Sequence, residues 1–119
     1  MDKLVIIPTY NEKENIEAII TAVMNLPLEF HVLIIDDGSP DGTAAIVKDL
    51  MANKYTGKLH LVERAGKQGL GTAYITGFKW AIEHQYDYIF EMDADFSHNP
   101  QDLLKLYDAC SAQGADVAI

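Results

Sequence analysis

Two aspartates separated by one alanine are the residues of this chain best suited to chemistry. Asp93 and Asp95 directly follow the apolar run at 88–92, so they lie where a strand would end. Mg²⁺ and Mn²⁺ prefer hard oxygen ligands, and such a cation can bridge and neutralise two phosphates. Because an Asp-x-Asp pattern also occurs by chance, its place after a strand is what favours a metal site. His98 could join this site, but we favour its interpretation as a solvated residue at a helix entry.

Three other polar segments follow short apolar runs in the same way. They are Pro8 to Glu12 after 4–7, Asp36 to Thr43 after 32–35, and Glu63 to Gly71 after 59–62. In an open α/β sheet, ligands bind beyond the carboxyl ends of the parallel strands. All four polar segments should therefore meet at one edge of one sheet, which is the layout of an active site.

The first of these segments has two compatible interpretations. Tyr10 could stack on a base, and Glu12 could accept hydrogen bonds from a base or a sugar. Alternatively, Asn11 caps a helix with Glu14 as its partner three residues later, which has the form of a capping box.

Aspartates of the second segment divide between ligand binding and turn formation. A carboxylate can accept from the N–H edge of a base or from ribose hydroxyls, and we assign this role to Asp37. Asp36 or Asp41 could instead organise the turn and cap the next helix, as Asp commonly does. For Asp41 we favour that structural role.

The glycine-rich segment at 66–71 resembles a phosphate cradle with Arg64 and Lys67 near it. It is neither a P-loop nor a G-x-G-x-x-G fingerprint, and the first strand is followed by Pro-Thr-Tyr instead. The missing fingerprint counts against a dinucleotide oxidoreductase. An equally good interpretation is that Gly69 and Gly71 only permit a tight entry into the next helix.

Strands and helices alternate along the chain and would position these segments. Four β-branched, nearly continuous apolar runs predict buried parallel strands, and a fifth strand is predicted at 116–119. Apolar residues at i, i+3, i+4 and i+7 predict helices after the first two strands. The pattern indicates one α/β domain with a mostly parallel sheet, helices on both faces and right-handed crossovers.

Two further helices complete the pattern. The third is predicted at about 71–85, where small residues four positions apart permit close approach to the sheet. Those small residues are Ala73, Gly77 and Ala81. The fourth is predicted to start with Asn99 as its cap and Pro100 at its first helical position.

Composition excludes several classes of protein. A net charge of −9 over 119 residues argues against a nucleic-acid binder and against electrostatic docking on anionic lipid. If the ligand is a nucleotide, a divalent cation is the expected intermediary. The single Cys110 excludes an internal disulfide and is expected to be a core residue. No signal peptide and no apolar run of about 20 residues is visible, so we expect a soluble, cytoplasmic chain.

Taken together, four segments resemble glycosyltransferase family 2, and within it the dolichyl- and polyprenyl-phosphate mannosyltransferases. They are Ile7 to Glu12, Asp36 to Thr43, Gly69 to Tyr74 and Met92 to His98, in the family's order. The resemblance implies a Rossmann-like GT-A fold. It also implies transfer of a sugar with inversion, from a nucleotide donor such as GDP-mannose to a polyprenyl or dolichyl phosphate.

The same resemblance implies roles for individual residues. Those that would contact the nucleotide are Pro8, Tyr10, Glu12, Ile35 and Asp37. Those that would meet the diphosphate, as a DxD motif, are Asp93, Ala94 and Asp95. The two aspartates are the expected catalytic and metal-binding residues, and Asp95 is the best ligand for Mg²⁺ or Mn²⁺.

Residues 1–119 would then be the nucleotide-sugar-binding part of a GT-A domain. Family members continue with an arginine-containing stretch and an acceptor-binding half, so we expect weak or no turnover by these residues alone. The full-length protein would be cytoplasmic or peripheral at the cytoplasmic membrane face. The sheet edge near 116–119 could pair two copies of the chain into a homodimer.

Two alternatives remain open at this point. One keeps the fold and changes the substrates to UDP-glucose or another donor, or to a saccharide acceptor. The other is a non-catalytic nucleotide-binding module.

Overall fold

The computed structural model of the chain describes residues 2–66, 69–97, 99–113 and 117–118. Strands and helices alternate over this length, as the sequence predicts. In chain order the elements are β1 (Lys3–Thr9), α1 (Ile16–Met24), β2 (His31–Asp36), α2 (Thr43–Asn53), β3 (Leu59–Glu63), α3 (Leu70–Glu83), β4 (Tyr88–Glu91), α4 (Asp102–Gln113) and β5 (Val117–Ala118).

The strands form one sheet in the order β3-β2-β1-β4-β5, and every neighbouring pair is parallel. β1 lies at the centre, where the side chains from Leu4 to Ile7 are fully buried. Both faces of the sheet are covered, which explains why the strand sequences are apolar without alternation. This is the predicted Rossmann-like α/β fold.

The two faces of the sheet are covered by different helices. Val5 and Ile7 pack with buried residues of α1, α2 and α4 in one core cluster. Leu4 and Ile6 point to the other face and pack with Ala73 and Ala81 of α3. Of the helices in the described ranges, α3 therefore covers the second face, and it carries residues of the candidate site at its first turn.

Close packing of α3 depends on its small residues, as predicted. Ala73 and Ala81 are fully buried. A Cβ at Gly77 would lie 2.7 Å from Cγ2 of Ile6, so a side chain there would have to displace the buried Ile6 side chain or the helix. The absence of a side chain at Gly77 thus sets the height of the helix above β1.

Two predictions about helix starts need correction. Helix α1 begins at Ile16, and Asn11 has a φ of +55°, so the proposed capping box of Asn11 and Glu14 is wrong. Helix α4 begins at Asp102 rather than at Pro100. Asn99 still organises its entry, because its Oδ1 accepts a hydrogen bond of 3.0 Å from the Gln101 amide.

The remaining features of the fold agree with the sequence. Cys110 is buried, as predicted for a core residue. β5 pairs with β4 at the sheet edge, so association of two copies through this edge stays a prediction. Of the helices in the described ranges, none has the length and apolarity to cross a bilayer.

Candidate functional site

A cavity of about 340 Å³ lies beyond the carboxyl ends of the central strands, where the sequence predicts a site. All four polar segments contribute to its wall. The residues that line it are Pro8, Thr9, Tyr10, Glu12, Asp37, Gly69, Ala73, Asp93, Ala94 and Asp95. Seven of the eight residues predicted to contact the nucleotide sugar are therefore brought together.

Ile35 is the eighth predicted residue, and it does not line this cavity. Its side chain is fully buried and packs in the core cluster beneath α3. Its register partner across the sheet is Pro8, which does line the cavity. The Ile35 side chain therefore belongs to the core, and its place in the sheet is beside a residue of the cavity wall.

Hydroxyl groups of the loop after β2 hold the backbone of the loop after β1. The Asn11 amide donates to Oγ of Ser39 at 2.9 Å, and the Glu12 amide donates to Oγ1 of Thr43 at 3.1 Å. These contacts fix the chain directly after Tyr10, a residue that is 37% exposed and lines the cavity. Tyr10 and Glu12 thus project from a backbone that neighbouring side chains support.

Asp36 organises this part of the site and is almost completely buried. Its carboxylate accepts hydrogen bonds from Oγ1 of Thr9 at 2.7 Å, from Oγ of Ser39 at 2.7 Å and from the Ser39 amide at 3.0 Å. A carboxylate with these partners ties β1 to the loop after β2. The structural role considered for Asp36 therefore agrees with the geometry.

Asp41 has the structural role that the sequence favours. Its Oδ1 accepts from the amide and hydroxyl of Thr43, and its Oδ2 accepts from the Lys13 amide. The hydrogen bond from the Thr43 hydroxyl is the main reason that the pKa of Asp41 is lower than usual. The N-cap of α2 itself is Gly42, so Asp41 shapes the turn one residue before the cap.

Asp37 forms a two-point ion pair with Arg64. Nε of Arg64 donates to Oδ1 at 2.6 Å, and one terminal nitrogen donates to Oδ2 at 2.8 Å. The guanidinium also donates to Oγ1 of Thr72 at 2.9 Å and to the Gly69 carbonyl at 3.3 Å. These partners engage four of its five N–H groups, so the geometry does not support Arg64 as part of a phosphate cradle.

The glycine-rich segment lies at the start of α3. Gly69 is the N-cap of this helix and has a φ of +100°, which favours glycine. Its carbonyl also accepts from Oγ1 of Thr72 at 2.9 Å. The alternative in which Gly69 permits a tight helix entry agrees with these contacts, while Lys67 lies outside the described residues.

The two aspartates after β4 lie on the other side of the cavity. Asp93 accepts hydrogen bonds from the Tyr74 hydroxyl at 3.2 Å and from Oγ of Ser97 at 3.4 Å. Oδ1 of Asp95 accepts from the Ser97 amide at 2.9 Å. Burial, together with the charge of Asp93, raises the pKa of Tyr74 far above its usual value, so the phenol remains a hydrogen-bond donor.

Negative charge accumulates on this side of the cavity. Burial, reinforced by Asp93, raises the pKa of Glu91, which is the last residue of β4. The residues that follow include Asp93 and the exposed Asp95. A phosphate would be repelled here unless a cation stood between it and the carboxylates.

The chemistry of Asp93 and Asp95 fits a divalent cation that takes its other ligands from phosphate and water. Mg²⁺ is commonly bound by one or two carboxylates together with substrate phosphates. Among the side chains in the described ranges, no group of three or more His, Cys, Asp or Glu could hold a metal by itself. His98, the other candidate, lies outside those ranges.

Curated relatives with known names are similar over nearly the whole chain. The chain is 48% identical over 116 residues to the polyprenol monophosphomannose synthase of Mycolicibacterium smegmatis. The aligned region covers 98% of this chain and 43% of that protein. The chain is also 42% identical over 119 residues to the undecaprenyl-phosphate mannosyltransferase of Micrococcus luteus. This alignment covers 100% of this chain and 47% of that protein. The chain thus spans less than half the length of these two relatives.

Solved structures confirm the fold. The mannosyltransferase PcManGT from Pyrobaculum calidifontis, in complex with GDP-Man and Mn²⁺, matches with a TM-score of 0.77 and 25% sequence identity. The match covers 91% of this chain and 32% of that one. The sequence model described as glycosyl transferase family 2 matches residues 4–119. This chain therefore belongs to glycosyl transferase family 2.

Proposed function

We propose that this chain forms the nucleotide-sugar site of a mannosyltransferase. The enzyme would move mannose from GDP-mannose to a polyprenyl or dolichyl phosphate with inversion, assisted by Mg²⁺ or Mn²⁺. The observation that carries this proposal is the single cavity that joins Asp37 and Glu12 to Asp93 and Asp95. The names of the two relatives support the sugar and the acceptor.

The strand order separates two groups of cavity residues by a distance that suits a nucleoside diphosphate. Asp37 follows β2 and Asp93 follows β4, with β1 between them. Two strand spacings separate these positions by about 10 Å, which is close to the length of a nucleoside. The base and ribose would lie against the loops after β1 and β2, and the diphosphate would reach the aspartates after β4.

The residues on each side would then have distinct roles. Tyr10 would stack on the base, while Glu12 and Asp37 would accept hydrogen bonds from the base or the ribose. Asp93 and Asp95 would hold the cation, with Asp95 as the more accessible ligand. When bound, the cation would neutralise the charge that develops on the departing nucleoside diphosphate.

An acceptor phosphate changes what the protein must supply. The attacking phosphate oxygen is already anionic, so the reaction needs positioning of the acceptor more than a general base. We place the residues that would position the acceptor in the part of the relatives that this chain does not span. Residues 1–119 alone are therefore expected to bind the donor with weak or no turnover.

The lipid acceptor also suggests where the full-length protein works. We place it in the cytoplasm, peripheral at the cytoplasmic membrane face, because a polyprenyl phosphate is anchored there by its chain. Fractionation of cells that make the full-length protein tests this placement. Recovery in the soluble fraction alone would argue against it.

Calorimetry of donor binding tests the proposal. GDP-mannose, GDP, UDP-glucose and UDP are titrated into the chain with Mn²⁺, with Mg²⁺ and with chelator. We expect metal-dependent binding of the guanine nucleotides that is lost in Asp95→Ala. The matched control is Asp49→Ala, because Asp49 is an exposed aspartate on α2 outside the cavity.

Each other outcome changes the proposal in a defined way. A preference for uridine nucleotides would reassign the donor to a UDP-sugar. Equal binding by Asp95→Ala and the unmodified chain would remove Asp95 from the metal site. No binding of any nucleotide would contradict a donor site formed by these residues.

A further inference from the structure

Arg64 connects three segments of the chain around the cavity. Its guanidinium donates to both carboxylate oxygens of Asp37, to the Gly69 carbonyl and to the Thr72 hydroxyl. Asp37 and Gly69 both line the cavity, whereas Arg64 does not. One side chain behind the cavity wall thus links the loop after β2 to the first turn of α3.

The Arg64–Asp37 pair is shielded from solvent. Each side chain is only 9% exposed. The neighbouring pair of Lys48 and Glu63 is also within 3.0 Å, but those side chains are 60% and 50% exposed. Exposed ion pairs contribute little to stability, whereas removing one partner of a buried pair leaves an uncompensated charge. The two pairs therefore differ in what their loss would do.

Backbone contacts fix the two loops that carry this pair. The Arg64 amide donates to the Asp36 carbonyl at 2.8 Å, which extends the β2–β3 ladder by one bond. Gly38 has a φ of +70°, and a Cβ there would lie 2.8 Å from the Gly66 amide nitrogen. The loops therefore approach as closely as a glycine allows, and this holds Asp37 and Arg64 side by side.

We propose that Arg64 is a positioning residue for recognition of the nucleoside. Two parallel hydrogen bonds fix the plane of the Asp37 carboxylate, and a carboxylate oxygen can accept more than one hydrogen bond. Asp37 held in this way accepts from the base or ribose, and Arg64 balances its charge beside an anionic ligand. This inference rests on the proposed function, since it deepens the role given to Asp37.

The positioning role predicts a selective loss. A nucleoside diphosphate uses both sides of the cavity, whereas inorganic pyrophosphate can use only the aspartates after β4. The variant Arg64→Gln should therefore bind GDP with Mn²⁺ at least about tenfold more weakly, the effect expected for losing charge-assisted hydrogen bonds. Its affinity for pyrophosphate with Mn²⁺ should stay within about twofold of the unmodified chain's.

Calorimetry on the 119-residue chain measures both ligands at a temperature where circular dichroism shows each variant folded. Lys48→Gln is the matched control, because it breaks the exposed pair beside Arg64 without touching the cavity. Asp37→Asn and the double variant Asp37→Asn/Arg64→Gln show whether Arg64 acts through Asp37. If it does, the double variant binds GDP no more weakly than Asp37→Asn.

The outcomes separate this inference from the proposed function. If the unmodified chain binds GDP and Arg64→Gln binds it equally well, the positioning role is wrong and the donor site stands. If Arg64→Gln loses GDP and pyrophosphate alike, Arg64 only maintains the cavity and the inference fails. If the unmodified chain binds neither ligand, the proposed function fails and takes the inference with it.

A second substitution covers the case in which Arg64→Gln does not fold. Arg64→Lys keeps the positive charge but cannot make the two parallel hydrogen bonds to Asp37. The positioning role predicts that this variant also loses affinity for GDP and keeps its affinity for pyrophosphate. Full GDP affinity in Arg64→Lys would overturn the inference, because charge alone would then be sufficient.

Discussion

The two sides of the cavity differ in how the protein supports them. On the side of β2, the carboxylates of Asp36 and Asp37 accept hydrogen bonds of 2.6 to 2.8 Å from the side chains of Thr9, Ser39 and Arg64. On the side of β4, the hydroxyl contacts to Asp93 are 3.2 and 3.4 Å, and Asp95 is exposed. The first side is built by the protein itself, whereas the second is suited to completion by a cation and phosphates.

Backbone geometry shows the same difference. In the part of the chain that the structure describes, each side has one non-glycine residue with positive φ, Asn11 at +55° and Phe96 at +61°. Asn tolerates this conformation, and the Asn11 amide is held by Ser39. A bulky residue such as Phe96 has a cost of about 1–3 kcal/mol in this region, and its side chain is 44% exposed. Among the described residues of the candidate site, the greater backbone strain therefore lies beside the aspartates.

The largest effect on stability is expected on the side that the protein builds. Asp36→Ala removes the acceptor for Thr9 and for two groups of Ser39, and leaves these donors in a largely buried setting. We expect a loss of about 3 kcal/mol in the free energy of unfolding, measured by urea denaturation.

Asp49→Ala is the control for this experiment, because it removes an exposed aspartate. Its expected change is within about 0.5 kcal/mol. Equal stability of the two variants would contradict the idea that Asp36 supports the site.

A medium effect, on ligand affinity rather than stability, is expected on the other side. Tyr74→Phe removes the hydroxyl that donates to Asp93. Removal of a group that orients a metal-binding side chain typically weakens metal affinity by about tenfold or more. If Asp93 holds the cation, Tyr74→Phe should weaken the binding of GDP with Mn²⁺ by about that factor. The free energy of unfolding should change by only about 1 kcal/mol.

Tyr86→Phe makes the same chemical change at the opposite end of the sheet. The Tyr86 hydroxyl lies 2.9 Å from Nδ1 of His31, away from the cavity. By calorimetry, Tyr86→Phe should bind GDP with Mn²⁺ as tightly as the unmodified chain does. If both Phe variants bind alike, the contact between Tyr74 and Asp93 does not orient the aspartate.

The sequence could predict residues on both sides of the cavity, but not the contacts that support them. Tyr10, Glu12, Asp93 and Asp95 were identifiable because each follows an apolar run, and strand ends can be read from sequence. The pairing of Arg64 with Asp37 depends on β3 lying beside β2 with Glu63 opposite Asp36. Strand order and register are set by tertiary packing, so local sequence does not contain them.

Two further features escaped sequence analysis for related reasons. The capping pattern at Asn11 has the right residues, but the chain turns in a left-handed conformation there and α1 starts only at Ile16. His31, His60 and His84 are far apart in sequence and show no metal-ligand spacing. In the structure His60 and His84 pack against Trp80, with ring centroids 4.9 Å and 3.8 Å from that of Trp80, and His31 lies next to His60 with a centroid distance of 6.3 Å.

This histidine cluster, at the end of the sheet opposite the cavity, gives the smallest predicted effect. Burial, reinforced by His31 and His84, lowers the pKa of His60, and its Nε2 is buried without a hydrogen-bond partner in the described structure. The folded state therefore favours neutral His60. Its contribution to stability is fully present above the unfolded-state pKa of about 6.5 and is lost progressively as the pH falls from that value through the lower folded-state pKa.

Comparison of unfolding free energies at pH 7.5 and pH 5.5 isolates this contribution. Between pH 7.5 and pH 5.5, we expect the free energy of unfolding to fall further in the unmodified chain than in His60→Phe. Because His60 is only partly buried, the difference between the two proteins should be below about 1 kcal/mol. Changes in carboxylate charge affect both proteins alike and cancel in the difference. GDP affinity should be the same in both proteins at pH 7.5, because His60 does not line the cavity. A larger pH-dependent loss in His60→Phe than in the unmodified chain would reverse the sign and show that folding favours the charged imidazole.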